Sequence, residues 1–137
     1  LSYLARREHS RNELRRKLAP HTESAEQLDR LLDELETKKL LSDERFVEVL
    51  KRSRGERFGT ARIKQELKAH QLGDVLVRSA VDELRQTELA RARAVWQRRF
   101  GAPATDAAER ARHMRFLAQR GFSTEVIYKV VRGADED

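Results

Sequence analysis

The sequence predicts an all-α fold: three tandem three-helix repeats forming an elongated, curved, solenoid-like array. Three observations carry that expectation. Ala, Leu, Glu, Arg, Lys and Gln dominate a chain of 137 residues that holds only six Gly and two Pro, a composition that favours helices over strands. Apolar residues recur at spacings of three and four, the period of a helix with one buried face. The pattern also repeats along the chain. A shift of 49 carries Leu14, Leu18, Leu28, Leu32 and Leu35 onto Ile63, Leu67, Val77, Val81 and Leu84, and a shift of 50 carries Leu67, Leu72, Val77 and Val81 onto Leu117, Phe122, Ile127 and Val131.

Each unit is expected to hold three helices. The first unit, 1–41, has them near 1–8, 10–19 and 24–38; the second, 42–86, near 43–56, 60–70 and 74–86; the third, 87–137, near 87–100, 105–120 and 124–132. Ser10 with Glu13, Ser24 with Gln27 and Asp106 with Glu109 have capping-box spacing, in which side chains satisfy the orphan amides of a first turn. Leu41 with Phe46, Leu72 with Val77 and Phe122 with Ile127 have the spacing of a hydrophobic staple. Gly59, Gly73, Gly101 and Gly121, with Pro20 and Pro103, fall between helices, where positive φ is often needed or a helix must stop. A unit of this size has a small core, so neighbouring units are expected to share theirs. With helices 8–10 Å apart, three units would span roughly 60 Å.

The formal charge is +6, which points to a polyanion or an acidic protein surface as partner. The excess is unevenly placed. Residues 6–18, 51–68 and 91–120 carry net charges of +4, +5 and +6, whereas 23–36 hold six acids against Arg30. In each unit the bases gather where the first helix meets the second. Stacked in register, those corners line up as a basic stripe; taken singly, they are solvated helix faces. The stripe would be formed by Arg52, Arg54, Arg57, Arg62, Lys64 and Lys68 in the second unit and Arg98, Arg99, Arg112, Arg115 and Arg120 in the third. The acidic end, Asp135, Glu136 and Asp137, leaves open a competition for that edge.

Catalytic chemistry is not expected. Cysteine is absent and His9, His21, His70 and His113 have no ligand spacing, so neither metal nor cofactor is predicted. His21 and His70 occupy matching repeat positions after a helix, where a cation suits the C-terminal carbonyls. The acids of LDEL (32–35) and VDEL (81–84) read as solvated helix faces, and no Gly-rich phosphate loop or Ser/His/Asp set is present. Trp96, Phe58 and Phe100 fit core packing, with base stacking as the alternative; Phe46, Phe116 and Phe122 fit the core. The lack of cysteine suits a reducing cytoplasm, and no apolar run reaches the ~20 residues a membrane helix needs.

YLARREHSRNELRRKL (3–18), LLSDERFVEVLKRSRGERFGTARIKQEL (40–67) and RFLAQRGFSTEVIYKVV (115–131) together resemble the RecX family, regulators of the bacterial recombinase RecA. The resemblance runs through Asp43, Glu44, Arg45 and Phe46, then Gly59, Arg62, Ile63, Glu66 and Leu67, then Phe116, Leu117, Arg120, Gly121 and Phe122. Gln119 departs from it, standing where many members have a basic residue. The resemblance implies a non-enzymatic, monomeric modulator that binds RecA filaments on single-stranded DNA. It would limit filament growth, ATP hydrolysis, strand exchange and SOS induction, with weak direct DNA binding as an accessory property. The rival readings are a basic helical domain acting on naked DNA and a scaffold with no nucleic-acid partner.

Overall fold

The computed structural model describes residues 2–136 and the side chains of residues 3–133; Asp137 and the side chains of Asp135 and Glu136, which the acidic-end question concerns, lie outside them. Eight α-helices are present among the described residues: α1 (Ser2–Arg6), α2 (Arg11–Leu18), α3 (Ala25–Thr37), α4 (Asp43–Gly55), α5 (Thr60–Ala69), α6 (Asp74–Arg99), α7 (Ala107–Gln119) and α8 (Thr124–Glu136), with a 3-10 turn at Ala19–His21. No described helix is long and apolar enough to cross a membrane.

The expected caps at Ser10, Ser24 and Asp106 form, and Ser42 adds one more. The side chains of Ser10, Ser24, Ser42 and Asp106 accept the amides of Glu13, Gln27, Arg45 and Glu109 at 3.0, 3.1, 3.2 and 2.8 Å. The return bond goes one residue further back than a capping box places it. Gln27 accepts from the Glu23 amide and Glu109 from the Thr105 amide and hydroxyl, so each ties down the loop rather than the cap residue.

One boundary differs from expectation. The helices predicted at 74–86 and 87–100 are a single helix, α6, about 39 Å long at 1.5 Å per residue. LRQTELARAR (84–93) contains no Gly, Pro or capping residue that could end a helix. Its buried face runs without a break through Val77, Ala80, Val81, Leu84, Glu88, Ala92, Val95 and Trp96. The predicted division at 86/87 therefore falls inside a shared helix.

The cores also differ from expectation. Buried apolar side chains form three clusters, one per unit, instead of a core shared between neighbours. Leu14, Leu28, Leu32, Leu35 and Leu41 form the first. Phe46, Val47 and Leu50 of α4, Ile63 and Leu67 of α5, Leu72, and Val77, Ala80, Val81 and Leu84 of α6 form the second. Ala92, Val95 and Trp96 of α6 join Leu117 of α7 and Phe122, Ile127, Val130 and Val131 of α8 in the third. Burying each Leu or Ile contributes ~1.5–3 kcal/mol, so each unit holds itself together through its own helices. Leu72 with Val77 and Phe122 with Ile127 share a cluster as staples should, but Leu41 packs in the first core and Phe46 in the second.

Apart from the shared helix α6, what joins the units is polar or backbone contact. Between the first and second, the Arg11 amide donates to Asp43 at 2.7 Å, Arg45 pairs with Glu8 at 3.0 Å, and Ser10 meets His70 at 3.5 Å. Between the second and third, the α4–α5 loop is fastened to α6 and to the α7–α8 loop, and it is here that the basic residues converge.

Candidate functional site

The α4–α5 loop is held by two groups that charge counting did not single out, buried Glu88 and half-buried Arg91. Glu88, 5% exposed, accepts the Thr60 amide at 2.7 Å. It thereby caps α5 from another helix, because Gly59 at the N-cap position has no side chain to do so. Arg91 places all five of its N–H groups: on the carbonyls of Gly55, Phe58 and Leu84 and the hydroxyls of Thr60 and Thr87. Burial lowers the proton affinity of this guanidinium, and Glu88 opposes that effect.

On its other side the loop meets the α7–α8 loop backbone to backbone. The Gly59 amide donates to the Arg120 carbonyl at 2.8 Å. A Cβ on Gly59 would lie 2.3 Å from both C and O of Gly121, and a Cβ on Gly121 would lie 2.6 Å from that of Arg62. Gly121 also has φ +90°, whereas Gly59 has φ −81°. Gly59 is therefore required by close approach and not, as its position between helices suggested, by a left-handed conformation.

This junction links Phe58 through Arg120 to Phe116, which meets Phe100 edge-on at 5.5 Å, and arginines interleave with the rings. Arg62 lies 3.9 Å and Arg57 5.1 Å from the Phe58 centroid. Arg120 stands between Phe58 (5.5 Å) and Phe116 (4.9 Å), and Arg99 between Phe116 (5.5 Å) and Phe100 (5.3 Å). All are within the ~6 Å at which the ring face attracts a cation. The strip crosses from the second unit to the third and ends in a shallow cleft of about 400 Å³, lined by Arg99, Arg112, Arg115, Arg120, Phe100, Phe116 and Gln119. Behind it, Phe100 stacks on buried His113 at 3.8 Å, and His113 Nδ1 accepts the Trp96 indole N–H at 3.1 Å.

The predicted stripe thus divides. Arg57, Arg62, Arg99, Arg112, Arg115 and Arg120 lie along the strip, and no ion pair with a carboxylate engages them among the described residues. Lys64 and Lys68 face a separate α5–α6 groove of about 750 Å³ with Arg78 and Arg85. Arg52 lines a groove between the first and second units with Glu44 and Glu48. Arg54 pairs with Glu66 at 3.0 Å, and Arg98 donates to the Glu56 carbonyl. Half of the basic corner of the first unit is answered from within: Arg7 by Glu13, Arg11 by Asp33 and Glu36, Arg15 by Asp29.

The residues of the sequence resemblance divide among joints, core and strip. Asp43 and Arg45 bind the first unit to the second, Glu66 holds Arg54, and Gly59 meets Gly121. Phe46, Ile63, Leu67 and Phe122 are core. The ring platforms were legible only in part: Phe58, Phe100 and Phe116 do pack on the cores, but half-buried and with arginines over their faces. RFG at 99–101 repeats the letters of 57–59 without the geometry, since Gly101 has φ +74° and α7 begins only at Ala107.

Residues 86–131 match the family model described as RecX, third three-helix domain. The chain is 53% identical over 135 residues to the regulatory protein RecX of Ralstonia nicotianae, spanning 98% of this chain and 85% of that one. It is 36% identical to the RecX of Neisseria meningitidis, over 100% and 89% of the two chains. A crystal structure of RecX from Lactobacillus salivarius superposes with a TM-score of 0.82 at 18% identity, covering 100% of this chain and 92% of the other. The chain belongs to the RecX family of regulatory proteins.

Proposed function

We propose that the protein is a non-enzymatic regulator, mainly an inhibitor, of the RecA recombinase, binding RecA filaments on single-stranded DNA and limiting their growth, ATP hydrolysis, strand exchange and SOS induction. Family membership supports the regulatory role. The observation that carries the binding mode is the arginine strip, which crosses two units held in fixed register and whose guanidiniums form no ion pair with a carboxylate among the described residues. A filament groove is a long, repeated anionic or mixed surface, and a strip on a jointed, multi-unit body suits it. In this reading the protein acts as a monomer in the cytoplasm, Arg57, Arg62, Arg99, Arg112, Arg115 and Arg120 make the main contact, and Lys64 and Lys68 belong to a secondary one. The test is RecA's DNA-dependent ATP hydrolysis with the protein added at substoichiometric levels; an unchanged rate over a wide concentration range sinks the proposal.

The interleaving of arginine with aromatic rings favours one alternative, direct binding to DNA phosphates. A naked-DNA binder shows affinity that falls steeply with salt and leaves RecA hydrolysis unchanged at low stoichiometry.

A further inference from the structure

We infer that the cleft at the third-unit end of the strip is a site for a triphosphate chain, supplied either by inorganic triphosphate or by a nucleoside triphosphate. This goes beyond the regulator reading and stands without it. Four guanidiniums, those of Arg99, Arg112, Arg115 and Arg120, line about 400 Å³, and no carboxylate lines it with them. Two of the four are already positioned by rings, Arg99 over Phe100 and Phe116 and Arg120 over Phe116 and Phe58. Arg112 and Arg115 are three apart on α7 and share its face with Phe116 and Gln119. Fixed guanidinium forks bind phosphate oxygens in pairs and lose little freedom in doing so.

Charge decides which phosphate fits. The C-terminal ends of α6 and α7 reach this cleft and each contributes roughly half a negative charge, and Glu109 outside the lining partly offsets Arg112, so about two to three of the four positive charges remain to be answered. Each strand of a duplex carries one charge per ~3.4 Å of helix axis, so a cleft of about 400 Å³, roughly 7 Å across if equal in all directions, meets about two phosphates of a strand. A triphosphate, whose terminal group alone carries nearly two charges, places three or four in the same space. Gln119 adds a neutral amide at the rim, able to donate to a bridging oxygen without further cationic excess.

The wall of the cleft contains its own reporter. Arg99 and Phe100 lead through stacked His113 to Trp96, the one tryptophan of the chain. Sodium triphosphate and ATP are titrated into the full chain at about 0.15 M salt, with Trp96 emission and calorimetry as parallel readouts. The expected result is saturable binding of both, weakened roughly tenfold or more by Arg112→Gln with Arg115→Gln, and measurably by Arg115→Gln alone. Arg30→Gln with Arg93→Gln removes equal charge from exposed positions outside the cleft and is expected to change affinity less than about twofold. Absence of saturable binding by calorimetry overturns the inference, as does equal weakening by the two double variants. Tighter binding per phosphate by octathymidylate, lost in the cleft variant, also overturns it and assigns the arginines to a strand backbone. RecA hydrolysis is not a readout here, so failure of this site and failure of the regulator reading are separable.

Discussion

Gly59→Ala puts the register of the second and third units to the test. The added methyl would lie 2.3 Å from Gly121 C and O and 2.4 Å from the Phe122 amide nitrogen, so relief requires a separation of about 1 Å between two backbones. Neither side is free to yield. Arg91 and Glu88 fix the 55–60 loop to α6, and the opposing loop is held by Phe122 in the third core. Overpacking of this kind costs ~1–3 kcal/mol, and loss of the Gly59–Arg120 hydrogen bond adds ~0.5–1.5, giving about 2–4 kcal/mol. For a chain of this length that is a melting-temperature fall of roughly 4–16 °C. Urea unfolding followed by far-UV CD and Trp96 emission measures it. Gly73→Ala is the control, since a Cβ there meets nothing within 4 Å, and it is expected to stay within about 1 kcal/mol of the parent. A Gly59→Ala chain within about 0.5 kcal/mol of the parent would refute the close-approach argument.

Glu88→Ala leaves the Thr60 amide buried without its acceptor and removes the carboxylate beside Arg91, so a loss of about 2–4 kcal/mol in urea unfolding is expected; Glu88→Gln keeps an acceptor and costs less. Arg57→Glu with Arg62→Glu reverses charge on exposed residues of the strip and is expected to weaken partner binding roughly tenfold or more, each tenfold being about 1.4 kcal/mol. Loss of helical CD signal in that variant would show these arginines to be structural. Burial lowers the pKa of His9, the Arg7 carbonyl opposes this, and the charges of Arg7 and Lys17 lower and that of Glu13 raises it. The unfolded chain therefore takes up a proton below about pH 6.5 that the folded chain resists, and stability present above that pH is lost as pH falls through the folded value. Urea midpoints measured between about pH 7.5 and 5 should decline, and His9→Gln should flatten the decline.

Helix period, caps and repeat offset were legible because they are local. Leu14, Ile63, Leu67 and Leu117 are fully buried where periodicity put them. The helix break expected at 86/87 does not occur: an internal repeat suggests a break between copies, and only the run of helix formers from Leu84 to Arg93 indicates that one helix runs through the boundary. The site was half legible. Charge counting finds Arg57 and Arg120 but cannot separate them from Arg54 or Arg15, whose carboxylate partners come from other helices. Glu88 had a signal that could have been read, a carboxylate in phase with the apolar stripe of α6. The contact of Gly59 with Gly121 had none, since it joins loops 62 residues apart in sequence.

Residues that carry the family resemblance fall both in the joint, at Gly59 and Gly121, and in the strip, at Arg62, Phe116 and Arg120. Arg57 and Arg99 have their rings supplied by their own unit, but Arg120 lies between Phe58 of the second unit and Phe116 of the third. A continuous strip therefore exists only while the two loops are in contact, and that contact depends on the absence of two side chains, at Gly59 and Gly121, and on one buried carboxylate, Glu88. Individual arginines on the surface are replaceable by neighbours a turn away, because exposed cations act over a Debye length of ~8 Å. The joint has no such tolerance, since a 1 Å displacement there moves every cation of the third unit relative to those of the second. Strong constraint on the joints and looser constraint on the charges is thus what a two-unit recognition surface requires.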